Sequence, residues 1–372
     1  MAIEFTEDQV QFREVVQRFL QDKNPPTVVR TVMETNTGFD AAVWQQLSHE
    51  LGLTGIHVPE RFGGAGFGPV ELAIICEEMG RHLYAGPFFS SAVMATCALL
   101  TANNEATNES LLPQLARGEQ RATLVLDNLN SPTSVGQQIR FTNGHLSGSA
   151  PIVLDANTAD VLLVIAGNGD QRCLLQTKPS AAGISIAAVE SLDPTRQLAR
   201  IEFNNTPAEP IADLSTTQIE QLWNELCVYL AHEMIGGAEQ LFYSTIEYTK
   251  VRVQFGRPIG SFQGLKHRCA DLLMEIEFAK AATQAAAFDL ASSDGASAYK
   301  ANMAKAMAAD ACMEAARTAV QLRGGIGFTW EEDTHLWFKR AKSNEVLLGT
   351  PHLHRERMMQ HLETQHRTGA VA

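Results

Sequence analysis

Three short stretches carry side chains that could do chemistry. RVQFGRPIGSFQ (residues 252–263) gathers a guanidinium, Arg252, two amides, Gln254 and Gln263, and a ring, Phe255, around Gly256, Pro258 and Gly260. A guanidinium offers a planar fork of donors to an anionic group, and a flat ring offers a packing surface. QLRGGIGFTWEED (residues 321–333) sets Gln321 shortly before Gly324 and Gly325, where missing side chains let another group approach the backbone closely. The bland alternatives are a polar helix–helix loop with an aromatic anchor, and a helix C-cap followed by a turn. HEMIGGAEQ (residues 232–240) places Glu233 on a helix face with Leu226, Tyr229, Gly236 and Gly237. A carboxyl on such an apolar face is costly unless it is paired or functional.

The chain that must position these groups has 372 residues, enough for two or three packed domains, and 45% of it is apolar. A formal net charge of -13 argues against nucleic acid as a partner, because neutralising phosphates needs a basic surface. The six cysteines show no C-x-x-C pairing, so neither a metal site nor a disulfide framework is expected. They read as small core residues of a protein from a reducing compartment, and the cytoplasm is the expected location. MAIEFTEDQVQF lacks the basic and apolar regions of a leader, and no apolar run approaches a membrane span.

Helical signals open the chain. Thr6 with Gln9 forms a capping-box pattern, and Phe12, Val15, Val16, Phe19 and Leu20 follow one helix face. Trp44, Leu47 and Leu51 make a shorter stripe. The glycine-rich VPERFGGAGFGPV (residues 58–70) interrupts, and Pro69 suits the start of the next helix. From about residue 121 the period changes to short β-rich runs, with hairpin signals at Asn143-Gly144 and Asn168-Gly169. Helices return near Ser215 as four long stretches, the last following Thr334. The expectation is an α+β multidomain fold, with a helical domain over 1–120, a small β domain over 121–214 and a four-helix bundle over 215–372.

That order, with the two motifs above and PERFGGAG, resembles the acyl-CoA dehydrogenase family over essentially the whole chain. The resemblance implies FAD as cofactor, partly held by a neighbouring subunit's Arg-x-x-Phe-Gly and Gln-x-x-Gly-Gly-x-Gly segments. Carried onto this sequence, Arg252 meets the pyrophosphate and Phe255 packs against flat rings. Gln254, Gln263 and Gln321 supply hydrogen bonds, while Gly324 and Gly325 admit the dinucleotide. The implied reaction removes a proton from the α-carbon of an acyl-CoA thioester as hydride leaves the β-carbon for the flavin. An electron acceptor such as electron-transfer flavoprotein is implied as well.

Two departures stand out. The family's middle domain usually carries Thr-Glu-Pro and then Gly-Ser-Asp to hold the flavin ring, but ATLVLD is followed here by NLNSPTSVGQQ. Many members place the proton-accepting glutamate just before a Gly-Thr near the end, where this chain has Leu348 before Gly349-Thr350. A leucine cannot take a proton. Other members place the glutamate on the first bundle helix. There Gln221, Glu225, His232 and Glu239 share a stripe expected to be solvated, and Glu233 falls off it. The usual alternative position aligns nearer Leu226, yet bacterial relatives with A-E-x-x-G-G-A match HEMIGGAEQ better. Glu233 is therefore the candidate base, ahead of Glu225 and Glu247, and its alternative is an ion pair with a nearby Arg or Lys. His352 and His354 are expected at the surface.

Both departures point toward a heterotetramer with a second acyl-CoA dehydrogenase-like chain, with a homo-oligomer as the alternative. In this family such assemblies are associated with bulky thioesters, including steroid side chains. The competing readings are a non-catalytic subunit completing a sister chain's FAD site, and flavin-dependent oxidation of a non-CoA substrate on the same fold.

Overall fold

The computed structural model describes residues 5–169, 171–292 and 297–368. Helices α1 (Glu7–Lys23), α2 (Pro26–Met33), α3 (Ala41–Gln45), α4 (Pro69–Arg81), α5 (Thr96–Ala102) and α6 (Glu105–Ala116) come first. Thr6 and Gln9 form the expected capping box, each side chain bonding the other's backbone N–H. Eight strands follow: β1 (Ala122–Val125), β2 (Arg140–Thr142), β3 (His145–Leu154), β4 (Val161–Asn168), β5 (Gln171–Thr177), β6 (Ile184–Val189), β7 (Leu198–Pro207) and β8 (Glu209–Leu214).

These strands make one mixed sheet in the order β6-β7-β3-β2-β4-β5-β8, with β1 parallel to β4. Asn143 and Gly144, both at positive φ, turn β2 into β3, and Asn168-Gly169 stands at the β4–β5 turn, where residue 170 lies outside the described residues. The patterning showed no sign of the edge strands β6 and β8. β6 is mostly exposed and β8 contains Pro210, so neither has the alternation of a strand with one buried face.

The C-terminal region holds α7 (Thr216–Val251), a two-strand hairpin of β9 (Val253–Gln254) and β10 (Arg257–Pro258), then α8 (Gln263–Leu290) and α9 (Ala298–Arg323). The expected last helix is two, α10 (Thr334–Val346) and α11 (Pro351–Thr368), so five long helices rather than four are described here. Leu348 and Gly349 take positive φ and break the run. Compactness groups the chain into Met1–Pro26, Ala73–Tyr84 and Cys227–Ala372 as one unit, and Thr27–Leu72 and Ala85–Leu226 as another.

In the first of these units α4 and α7 cross backbone against backbone. A Cβ on Gly80 would fall inside the Glu233 carbonyl oxygen, and one on Gly236 inside the Glu77 carbonyl oxygen. Trp337 of α10 closes over the crossing, donating its indole N–H to the Gly80 carbonyl at 3.3 Å. A buried charge network surrounds the contact. Glu77 accepts from Arg13 and faces His232 Nδ1 at 3.1 Å, while Arg81 reaches Glu78 at 3.2 Å and also Glu239. Lys280 of α8 meets the other oxygen of Glu239 at 2.6 Å. Burial alone would raise the Glu77 carboxyl, but the hydrogen bond to His232 and the Arg13 charge hold it well below the usual carboxylate range.

His232 and Glu239, expected on a solvated stripe, are therefore buried. Their counter-charges come from α1, α4 and α8, far away in sequence, so helical periodicity could not reveal them. Since the crossing has no room for a methyl group, Gly236→Ala must push the two helices apart. We expect it to cost about 1–3 kcal/mol, the usual penalty of overpacking. Thermal unfolding of the full chain measures this, and an unchanged midpoint would mean that the crossing is looser than described.

Candidate active site

The hairpin after α7 is built to hold a ring outward. Ile259 N–H bonds the Arg252 carbonyl at 2.8 Å and closes the loop. The tip residues Phe255 and Gly256 have φ of 53° and 80°, the pair of left-handed conformations that a two-residue type I′ turn demands. Glycine adopts this freely, whereas a phenylalanine is strained there. Phe255 is nevertheless 90% exposed. Its ring meets Phe262 edge-on, with centroids 6.1 Å apart, and the Arg257 guanidinium caps Phe262 at 4.1 Å. The side chains of Arg252, Gln254 and Gln263 are exposed and have no hydrogen-bond or ion-pair partner among the described residues.

The second motif is tied to the same helix. α9 ends at Arg323, and Gly324, at φ 67°, opens a 3₁₀ turn over Gly324–Phe328. Arg323 is buried and bonds Glu332 at 2.9 Å, Thr245 Oγ1 at 2.7 Å and Ser244 Oγ at 3.2 Å. Its guanidinium also lies over the Tyr248 ring. Ser244, Thr245 and Tyr248 belong to the last turns of α7, the helix that leads into Arg252. Arg323 therefore fixes the glycine turn to the hairpin's own support. The sequence reading passed over this residue, although its place inside QLRGG was the available signal.

A Cβ on Gly324 or Gly325 would meet no atom within 4 Å, so packing inside this chain does not require glycine at either position. Gln321 has no side-chain partner among the described residues. An unpartnered cation, orienting amides, an exposed ring and two bare glycines are what a dinucleotide needs from a surface, and these residues fit FAD.

The positions linked to proton removal look different. Glu233 is 4% exposed, and its Oε1 accepts from Arg340 Nη1 at 2.9 Å and Asn344 Nδ2 at 3.1 Å. Arg340 also donates to the Tyr84 carbonyl at 3.3 Å, so the carboxylate belongs to a buried tie between α7, α10 and the end of α4. That is the ion-pair arrangement weighed against a catalytic one. Glu225 is half-buried and accepts from the Cys97 thiol at 3.5 Å, and Glu247 is exposed beside Lys250.

Leu348 is fully buried at φ 58°. Its carbonyl accepts from His354 Nε2 at 2.9 Å. Lys305, at 0% exposure, donates to the carbonyls of Asn344, Glu345 and Gly349 at 3.1, 3.4 and 3.1 Å. Burial pushes the Lys305 ammonium down to about 8, and burial with the Lys305 charge pushes the His354 imidazole down to about 3. His352 is exposed, but the surface position expected for His354 is wrong. Pro351 starts a new helix there, and its first turn directs His354 back onto the Leu348 carbonyl.

In the β unit, the stretch standing where Thr-Glu-Pro was sought is folded around Asp127. That carboxylate accepts the backbone N–H groups of Gly136, Gln138 and Ile139. The loop is satisfied by its own chain.

Comparison with known proteins agrees with this architecture. Residues 6–119 match the N-terminal domain of acyl-CoA dehydrogenases, and residues 219–363 match their C-terminal domain. The acyl-CoA dehydrogenase IpdE2 of Mycobacterium tuberculosis is 33% identical, over 93% of this chain and 94% of its own. Among solved structures, a single-site variant of the Tcur3481-Tcur3483 steroid ACAD aligns with a TM-score of 0.86 at 25% identity, over 98% of this chain and 99% of that one. The ChsE4-ChsE5 complex from Mycobacterium tuberculosis aligns at 0.89 with 24% identity, over the same shares, and supports the fold. The two matched domains, the helix–sheet–helix order and these likenesses place the chain in the acyl-CoA dehydrogenase family, the FAD-dependent oxidoreductases that act on the CH–CH bond of acyl-CoA thioesters.

Proposed function

We propose that this chain is one of two unlike subunits of a heterotetrameric acyl-CoA dehydrogenase, and that its part is to complete a flavin site rather than to supply the base. One contrast carries the reading. The outward-facing dinucleotide surface is intact and unpartnered, while Leu348 occupies the proton-accepting position and is locked inside the fold. When bound, FAD supplies the acceptor for the hydride leaving the β-carbon. Arg252 holds the pyrophosphate, Phe255 covers a flat ring, and Gln254, Gln263 and Gln321 orient the cofactor at Gly324 and Gly325.

On this reading the partner chain provides the carboxylate that takes the α-proton, and Glu233 is a structural tie. The substrate class is a bulky acyl-CoA thioester, ring- or steroid-derived, supported by the steroid ACAD among the similar structures. Electron-transfer flavoprotein is the proposed acceptor by analogy with the family. The cytoplasm is the proposed location, since Cys76, Cys97, Cys173, Cys227, Cys269 and Cys312 are thiols rather than disulfides among the described residues.

Three measurements test this assignment. Purified alone, the chain should hold clearly less than one flavin per polypeptide, because the loop around Asp127 lacks the family's ring contacts. Full occupancy by absorbance in a pure homo-oligomer would overturn the heteromer. In the assembled enzyme, Arg252→Ala should weaken FAD retention by about tenfold to a hundredfold, the usual worth of a charge-assisted hydrogen bond. Unchanged flavin content after prolonged dialysis would remove Arg252 from the site. Glu233→Gln leaves Arg340 without its counter-charge in a buried place and should cost about 3 kcal/mol of stability. Anaerobic reduction of the flavin by substrate should continue near the wild-type rate. If reduction instead collapses by about a hundredfold or more while thermal stability is kept, Glu233 is the base after all.

A further inference from the structure

The unit that contains the sheet has a cleft of its own, of about 470 Å³, within the usual size of a small-molecule site. It opens where β4 begins and β5 stops, between α6 and the turn that joins β7 to β8. β1 and β4 run parallel, so the loop around Asp127 stands at the other end of the sheet. Val161, at the cleft, is six residues from Gly167, whose N–H bonds the Ile139 carbonyl of that loop. At ~3.3 Å per residue the separation is about 20 Å. None of the residues lining the cleft is one assigned above to the flavin or to proton removal.

Three polar groups in the cleft lack partners. Gln120 follows the end of α6, and its Oε1 is buried with no hydrogen-bond donor among the described residues. Such an oxygen costs about 1–3 kcal/mol until a donor reaches it. Lys178, just past β5, is exposed and has no ion-pair partner among the described residues. Glu209 opens β8 and accepts from the Gln176 amide at 2.9 Å through Oε2, which leaves Oε1 at the mouth. Leu111, Val161, Pro207 and Ala208 supply the apolar wall.

The strand register sets the spacing of the two charges. Gln176 lies directly opposite Glu209, and Lys178 is two residues further along. Lys178 and Glu209 therefore stand on a diagonal, about 7–8 Å apart at the backbone. Opposite charges held side by side and unpaired suit a zwitterion. The carboxylate and ammonium of an α-amino acid are separated by about 3 Å, and a charge-assisted contact of about 3 Å at each end bridges a gap of this order. The side chain of that amino acid meets an apolar wall and must bring a donor to Gln120. An aliphatic side chain has no donor to give, and a basic one would carry an unpaired charge onto the wall. A ring with one N–H or O–H satisfies both demands.

The geometry points to a binding site for a free aromatic α-amino acid, with its carboxylate on Lys178, its ammonium on Glu209 and its ring N–H or O–H donated to Gln120. The site lies wholly within one unit and is independent of the subunit role proposed above.

Titration calorimetry of the full chain with L-tryptophan tests it. One site per chain is expected, with a dissociation constant below about 1 mM. Tryptophan methylated on its ring nitrogen has no donor for Gln120 and should bind about threefold to tenfold more weakly. Gln120→Leu should weaken tryptophan by the same factor and leave the methylated compound unchanged. Lys178→Ala should weaken tryptophan and indolepropionate, which keeps the carboxylate, but not tryptamine, which lacks it. Glu209→Gln should weaken tryptophan and tryptamine but not indolepropionate. Absence of saturable tryptophan binding, or binding that the three substitutions leave unchanged, would sink the assignment. Equal weakening of all four compounds by each substitution would sink it too, since that marks a general disturbance of the cleft rather than three separate contacts.

Discussion

The rest of this subunit depends on one close approach, the crossing of α4 over α7 at Gly80 and Gly236. No side chain separates the two backbones there. The gain is dense packing along α7, and the cost is that every polar group near the crossing must find a partner without water. Arg13, Arg81 and Lys280 answer Glu77, Glu78 and Glu239, while Arg340 answers Glu233. Buried charges of this kind add little net stability compared with apolar packing, but each is costly to orphan. The network therefore fixes which helices meet and how far each may slide. At Gly80 and Gly236 the missing side chains make room for a helix.

That fixed helix has a free end, where the groups proposed to meet the flavin are concentrated. The last turns of α7 receive Arg323, which anchors the glycine turn, and then run into the strained hairpin that displays Phe255. Rigidity upstream makes the display possible. A loop holding a phenylalanine in a left-handed conformation, almost wholly in water, needs a support that does not yield. The positions around Leu348 are equally rigid, yet they turn their polar groups inward and onto the backbone. One face turns its side chains outward, and the other is closed.

Much of this is legible in the sequence. The order of helices, sheet and helices followed from the change of hydrophobic period, and the capping box at Thr6 and the turn at Asn143-Gly144 are local signals with local causes. Arg252, Phe255, Gly324 and Gly325 stand out as candidates because their motifs are contiguous. What escaped was long-range. His232 and Glu239 looked solvated because the cations that accompany them into the interior lie on other helices. His354 looked like a surface residue because only the break at Leu348 and Gly349 directs it inward. The edge strands β6 and β8 escaped because an edge has only one neighbour to impose a pattern. Glu233 was legible as an anomaly, a carboxyl on an apolar face, but its partners Arg340 and Asn344 lie more than a hundred residues downstream.

The turn at Leu348 bears on descent as much as on mechanism. A side chain with no exposure fills the position, its carbonyl is held by His354, and Lys305 has its donors engaged by the carbonyls on either side. Writing a glutamate back into that codon would bury a carboxylate where an aliphatic chain now packs, with the nearby cation already committed to the backbone. Recovery of a base there demands several changes at once, each unfavourable alone. On the proposed reading, a site closed in this way is hard to reopen, and the base stays with the partner chain.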